Sequence, residues 1–286
     1  MRYRKLTRSI VRRGKGLHSG RESCLVIEPS DEDLSLEAEG ERLPLSQLAL
    51  DGTARGSDLF FPSGKRVRTC EHVLSALVGL GVWRAKLVVS GSEDYEHEMP
   101  GLDGCSSDLT REIMEKSTPS AEGPIPFKLQ YPMQVGDLSG DKPRFIVALP
   151  SRNEAENALH ITAVIDYDAA PIGTQIFEYG AETDYGREIA PARTFVMRSD
   201  VESLRAAGLA LGGSLDNAIV VNRESVSTAG GLRFSDEFVR HKVLDLLGDL
   251  ANLGRPLAAH IVAVRAGHAQ HLQLVERLRA VSRIVV

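Results

Sequence analysis

The run Arg240-His241-Lys242-Val243-Leu244-Asp245-Leu246-Leu247-Gly248-Asp249-Leu250 gathers more chemistry than any other stretch of the chain. At about 100° per residue in a helix, His241, Asp245 and Asp249 fall at roughly 0°, 40° and 80° around the axis, with Lys242 near 100°. Val243, Leu244, Leu246, Leu247 and Leu250 fill roughly 140° to 300°, so the remainder of this helix is apolar and seeks burial. Charge beside so wide an apolar face is costly unless a metal or a substrate compensates it. A His and an Asp at i, i+4 form a ready pair of first-row metal ligands, and a second Asp one turn on can orient a neighbour. The plain alternative is a surface helix with a solvated charged face.

Two further clusters carry chemistry. Thr69-Cys70-Glu71-His72 opens a predicted helix, and adjacent helical side chains diverge by about 100°, so Glu71 and His72 can share a centre only at the edge of a pocket. A Glu beside a ligand His is suited to taking a proton from water that a metal has acidified. An acidic first-turn residue is also what the helix dipole alone favours. In Arg265-Ala266-Gly267-His268 a strand end meets a helix start. A helix N-terminus with Arg nearby is a natural phosphate or diphosphate site, and His268 has the near-neutral pKa of a general acid. A capping or surface histidine is the alternative there.

The elements that position these groups follow from length and punctuation. A chain of 286 residues exceeds one typical core, so two domains are expected, with one large α/β unit as the alternative. Ser117 to Pro126 is too rich in Pro and Gly for an element interior; it divides the chain into domains 1–118 and 127–286 joined by a linker at 119–126. Before it, Cys24 to Pro29 and Ala85 to Ser90 read as strands and Cys70 to Leu80 as a helix. After it come strands at Arg144 to Leu149, Leu159 to Tyr167, Asn217 to Val221 and His260 to Arg265. Helices are expected at Val201 to Ala207, at the 240–250 run and at Gln270 to Val281. Each half is thus an α+β unit, and a coarse duplication fits although no sequence repeat is visible.

Composition sets the outer limits. Apolar residues make up 42% and charged residues 26%, as in a soluble globular protein. No apolar run approaches the roughly 18 residues of a membrane span and no signal-type leader is read, so a cytoplasmic protein without stable membrane insertion is expected. The formal net charge of -5 argues against general nucleic-acid binding. Seven basic residues lie in the first fifteen: Arg2, Arg4, Lys5, Arg8, Arg12, Arg13 and Lys15. The β-branched character from Tyr3 to Val11 assigns them to one strand with a solvated basic face. Cys24, Cys70 and Cys105 lack CxxC spacing, so reduced thiols are expected and any metal must rely on His and carboxylate.

Read in order, Gly14-Lys15-Gly16-Leu17-His18-Ser19-Gly20, Thr69-Cys70-Glu71-His72, Ala192-Arg193-Thr194-Phe195, the stretch Gly208 to Val220, Asp236 to Asp245 and Gly267-His268 closely resemble the UDP-3-O-acyl-N-acetylglucosamine deacetylase family of lipid A biosynthesis. The resemblance covers essentially the whole chain. It implies an α+β fold of two similar domains, each a sheet with two main helices, packed face to face with the active site between them. It implies zinc held by His72, His241 and Asp245, with Glu71 as general base, His268 as general acid and Asp249 orienting it. Lys242 and Thr194 match groups near the developing oxyanion. Phe195, His18 and Tyr167 match substrate-site positions, and Arg265 a basic residue near the nucleotide diphosphate. The segment from Val196 to Val220 matches an insert forming an acyl passage, with Met197, Val201, Leu204, Leu211, Leu215 and Ala218 as its wall. The implied partner is a UDP-linked acylated glucosamine, and a monomer is expected.

Three departures stand out. Val196 replaces a usual Gly, His271 replaces a usual Asn, and Pro100-Gly101-Leu102-Asp103-Gly104-Cys105-Ser106 is a degraded form of a common first-domain motif. Two other classes remain at this point: a metal-dependent deacetylase of another acylated sugar or amide, and a catalytically silent ligand-binding homologue.

Overall fold

The computed structural model describes residues 3–52, 55–91, 96–151 and 158–282; Arg2 of the basic opening run lies outside them. The basic opening forms two strands rather than the expected one, β1 (Tyr3–Leu6) and β2 (Ile10–Lys15). They pair with different partners, β1 with the later β11 and β2 with β3, so the chain turns at Thr7 to Ser9. The first half continues through β3 (Glu22–Pro29), β4 (Ser35–Ala38), β5 (Glu41–Pro44), β6 (Ala49–Asp51), β7 (Asp58–Phe60) and β8 (Arg66–Arg68). Helix α1 (Glu71–Gly79), β9 (Ala85–Ser90), β10 (Glu96–Glu98), α2 (Ser107–Glu115) and β11 (Ser117–Ser120) complete it.

The second half starts with β12 (Phe127–Lys128), β13 (Met133–Asp137), β14 (Arg144–Pro150), β15 (Leu159–Asp166) and β16 (Thr174–Tyr179). An insert of β17 (Phe195–Met197), α3 (Val201–Ala206), β18 (Ile219–Val221) and β19 (Val226–Ser227) follows. Helix α4 (Glu237–Leu250), β20 (Leu257–Val264) and α5 (His268–Ser282) close the described chain.

The two halves repeat one topology. The first sheet runs β2-β3-β9-β4-β5 and the second β13-β14-β20-β15-β16. Along each of these paths, the parallel pair among the described residues is the one formed by the third and fourth strands in spatial order, β9 with β4 and β20 with β15; the short β12 adds a further parallel pairing to β20. In each, one long helix precedes the central strand and another follows it. Each also carries extra strands between its fifth strand in chain order and its first long helix: β6 to β8 in one half and β17 to β19 in the other. The duplication is therefore written in strand order and not in residue identity.

Alternation explains the outer faces. Strand β3 buries Ser23, Leu25 and Ile27 while Cys24, Val26 and Glu28 remain partly exposed, the period-2 pattern of a sheet covered on one side. Two cores result. One is built from residues such as Leu25, Ile27, Leu74, Leu87 and Ile113, the other from Ile146, Ile161, Val243, Leu247, Ile261 and Leu274. Helix α1 packs on α4, where a Cβ added at Gly248 would lie 2.0 Å from the Glu71 carbonyl oxygen. Only glycine permits that approach. Arg279 of α5 donates to the carbonyls of Leu45 and Leu48, at 2.6 and 2.7 Å, tying the second half to the first.

Strand β11 overlaps the start of the expected linker. Pro119 is tolerated there because β11 pairs with β1 alone in a two-stranded ribbon, where a missing N–H costs little. Among the described residues, no helix is long and apolar enough to cross a membrane.

Candidate active site

The contact at Gly248 sets the site, because it brings the first turn of α1 against the middle of α4. His72 Nε2 and His241 Nε2 lie 3.8 and 3.3 Å from Asp245 Oδ1, and the two rings meet edge to face with centroids 5.1 Å apart. All three side chains are buried. His241 Nδ1 donates to the Ala192 carbonyl at 3.0 Å, which directs its Nε2 lone pair to the shared centre. Lys242 Nζ donates to Asp245 Oδ2 at 2.8 Å. Asp245 Oδ1 is buried with no hydrogen-bond partner among the described residues. A buried carboxylate oxygen left open between two imidazole nitrogens, with ligand atoms within 4.8 Å of one another, fits a divalent metal.

Protonation states agree with that fit. Burial holds the His72 imidazole down to about 3, with the neighbouring His241 adding to the effect, and burial lowers His241 as well; both are neutral imidazoles, the form that can hold a metal. Burial acts to raise Asp245, yet His241 and Lys242 hold it well below the usual carboxylate range.

A second group adjoins this centre. The backbone N–H of Ser57 donates to Glu71 Oε2 at 3.0 Å, which anchors that oxygen. Burial pushes the Glu71 carboxyl up to about 7, against the attraction of His268. Asp249 Oδ2 accepts from Nδ1 of His268 at 2.8 Å and from Nδ1 of His271 at 2.7 Å, and the Ser57 hydroxyl donates to Oδ1. His268 Nε2 is thereby turned toward the His72, His241 and Asp245 group, 3.7 Å from Asp245 Oδ2. Burial by itself lowers His268, but Asp249 and Asp245 outweigh it and raise it to about 9. The Asp249, His268 and His271 atoms also satisfy the spacing of a metal cluster. Their contacts are those of a carboxylate bonded by two imidazoles and a hydroxyl, so this cluster is a hydrogen-bonded orienting group.

Both turns that launch these groups hold a non-glycine residue in left-handed backbone, Thr69 at φ 55° and Arg265 at φ 53°, a conformation concentrated at functional sites.

The centre opens into a cleft of about 1220 Å³. Glu71, His72, Thr194, His241, Lys242, Asp245 and His268 face it, together with His18, Tyr167, Phe195, Val201 and Arg265. Phe195 sits edge-on to Tyr167 at 5.6 Å, and Lys242 Nζ lies 5.3 Å from the Phe195 ring. Arg265 pairs with Asp166, and Lys142 with Asp168, so one end of the cleft carries paired charges. Met197, Val201, Leu204, Leu215 and Ala218 line another wall.

Leu211 does not join them, contrary to expectation. Its backbone N–H is engaged by the His18 carbonyl at 3.0 Å, which sets its side chain beside Gly20, 53% exposed, on a smaller cavity of about 380 Å³.

Ser57 is the functional residue that sequence reading missed; it lies in a short loop 192 positions from Asp249, and nothing in its neighbours marks it. His271 left a signal, since it stands one turn from His268 on the same helix. All three cysteines are free, as expected.

Comparison with known proteins agrees with this geometry. The family model for UDP-3-O-acyl N-acetylglycosamine deacetylase matches residues 3–280. A protein of Anaeromyxobacter dehalogenans is 36% identical over 275 residues, covering 93% of this chain and 84% of its own. One of Myxococcus xanthus is 34% identical, covering 96% and 85%, and one of Trichormus variabilis is 33% identical, covering 99% and 100%. Each of the three is named UDP-3-O-acyl-N-acetylglucosamine deacetylase. With a family match across nearly its whole length and relatives above 30% identity, the chain belongs to the UDP-3-O-acyl N-acetylglycosamine deacetylase family.

Proposed function

We propose that this protein hydrolyses the N-acetyl group of a UDP-linked 3-O-acyl-N-acetylglucosamine to acetate and the free amine, a step of lipid A biosynthesis, with zinc held by His72, His241 and Asp245. The observation that carries the reading is the orphaned Asp245 Oδ1 between two imidazole nitrogens, beside a buried carboxyl and a buried imidazolium. Iron would also suit a His₂Asp set. The chemistry that the metal supplies there is Lewis acidity, which acidifies water and polarises an amide carbonyl.

The chain's own groups supply the rest. Glu71, anchored by Ser57, takes a proton from the attacking water at Oε1. Lys242 Nζ and the Thr194 hydroxyl face the carbonyl oxygen as negative charge develops on it. His268, held by Asp249 and His271, gives the proton on Nε2 to the departing nitrogen. Phe195, Tyr167, His18 and Arg265 bind the uridine-diphosphate sugar, and Val201 with its neighbours the acyl chain. The reading includes a monomeric cytoplasmic enzyme whose two domains are joined near residues 119–126.

The test is acetate release from UDP-3-O-acyl-GlcNAc by purified protein, before and after chelator treatment. Release that stops with chelator and returns with zinc is expected. A protein that binds zinc yet releases no acetate refutes the substrate assignment.

A further inference from the structure

Arg193 heads the largest fully buried side chains among the described residues, and none of the steps above uses it. Its Nε and Nη2 donate to Glu237 Oε1 and Oε2 at 2.9 and 3.2 Å, and its backbone N–H donates to Glu237 Oε1 at 3.1 Å. The remaining donors reach the Thr228 hydroxyl at 2.7 Å and the carbonyls of Ala229 and Gly231 at 3.1 and 2.6 Å. Glu237 is wholly buried at the first position of α4 and also accepts the N–H of Arg233 at 2.7 Å. A buried ion pair is a poor stabiliser, because desolvating two ions offsets most of their attraction, and well-packed apolar residues do as well or better. The pair therefore calls for a role in placement.

That role follows from one planar peptide. The Arg193 N–H and the Ala192 C=O belong to the same amide. Glu237 Oε1 accepts from its N–H at 3.1 Å, and its C=O accepts from His241 Nδ1 at 3.0 Å. We infer that Glu237, fixed by Arg193, positions the ligand His241 through the Ala192–Arg193 peptide, as a relay of carboxylate, amide and imidazole. The carboxylate polarises the amide, so the carbonyl becomes a better acceptor. The imidazole is then held in its Nδ1-protonated tautomer with a more basic Nε2. Residues 192 to 194 are locked in the same act, since the Thr194 N–H donates to the Gly104 carbonyl at 2.7 Å, which also sets Thr194 at the cleft. Arg193 and Glu237 are positioning residues; neither lines the cleft.

This inference rests on the metal-centre reading above. The test compares the zinc dissociation constant, measured by chelator competition, with melting temperature and with the His241 ring-nitrogen shifts by NMR. Replacing both ions, Arg193→Met with Glu237→Leu, leaves no uncompensated charge. Glu237→Asp keeps the ion pair but withdraws the carboxylate from the Arg193 N–H by one methylene. Both variants are expected to melt within a few degrees of the parent, to bind zinc about 10- to 100-fold more weakly, and to lose the fixed His241 tautomer. Unchanged zinc affinity in either folded variant would overturn the relay. A double variant that failed to fold would leave Glu237→Asp to decide, and a parent that bound no zinc would refute the metal centre itself.

Discussion

Glu71 and His268, the proposed base and acid, lie in environments that set their protonation states apart. Burial raises Glu71 to about 7, whereas Asp249 and Asp245 overcome burial to raise His268 to about 9. Between the two, Glu71 is a carboxylate and His268 an imidazolium, the combination that base and acid require. Activity is therefore expected to rise with pH as Glu71 loses its proton and to fall as His268 loses its own. A kcat/KM profile should show both limbs, the rising one absent in Glu71→Ala and the falling one absent in His268→Ala. Each substitution should lower kcat by roughly 10² to 10⁴ while zinc content stays at the parent level. A variant with parental turnover would move its role to another group. The grouping of these residues was readable from type and order, since His241 and Asp245 stand at i, i+4 and Glu71 adjoins His72, while the roles proposed for them follow from the family resemblance. Ser57 was not readable: a hydroxyl in a loop has no periodic partner, and its contacts to Glu71 and Asp249 arise only from the tertiary fold.

At the scale of elements, legibility tracked apolar content. Strand β9 was expected at Ala85 to Ser90 and is observed there; α1 and α4, rich in apolar residues and buried over most of their lengths, were also recognisable. Helix α2 was missed, because it is no longer than α1 but is mostly polar, with only Leu109, Thr110 and Ile113 buried, too few apolar positions to stand out. The opening strand divided in two because pairing partners, invisible in local sequence, change at Thr7 to Ser9. The two helices that carry the proposed metal ligands pack together at Gly248. A methyl there would strike the Glu71 backbone oxygen, 2.0 Å away, and a backbone atom cannot swing aside as a side chain can. Gly248→Ala should destabilise the fold by about 1–3 kcal/mol and lower kcat, because the displaced residue is the proposed base. Denaturant unfolding with parallel kinetics checks both; parental stability would mean that α1 and α4 can separate freely.

For the whole molecule, duplication explains the location of the site. Two copies of one sheet-and-helix unit meet through their helices, and the proposed ligand set draws His72 from one and His241 with Asp245 from the other. The insert β17 to β19 shapes the apolar wall of the cleft, where Val196 also lies. Each methylene buried there should add about 0.8 kcal/mol until the passage ends, so affinity should climb with acyl length and level off. Val196→Gly should raise kcat/KM more for long acyl chains than for short ones, since glycine opens the mouth that a β-branched residue narrows. Equal gains at every length would mean that this wall does not meet the acyl chain. The central claim is a single metal shared between the halves, and metal content per chain tests it most directly. Elemental analysis of parent, His72→Ala and His241→Ala proteins should find one zinc per parent chain and essentially none in either variant. A full equivalent in His72→Ala would contradict the account, because the metal would then be held by the second half alone.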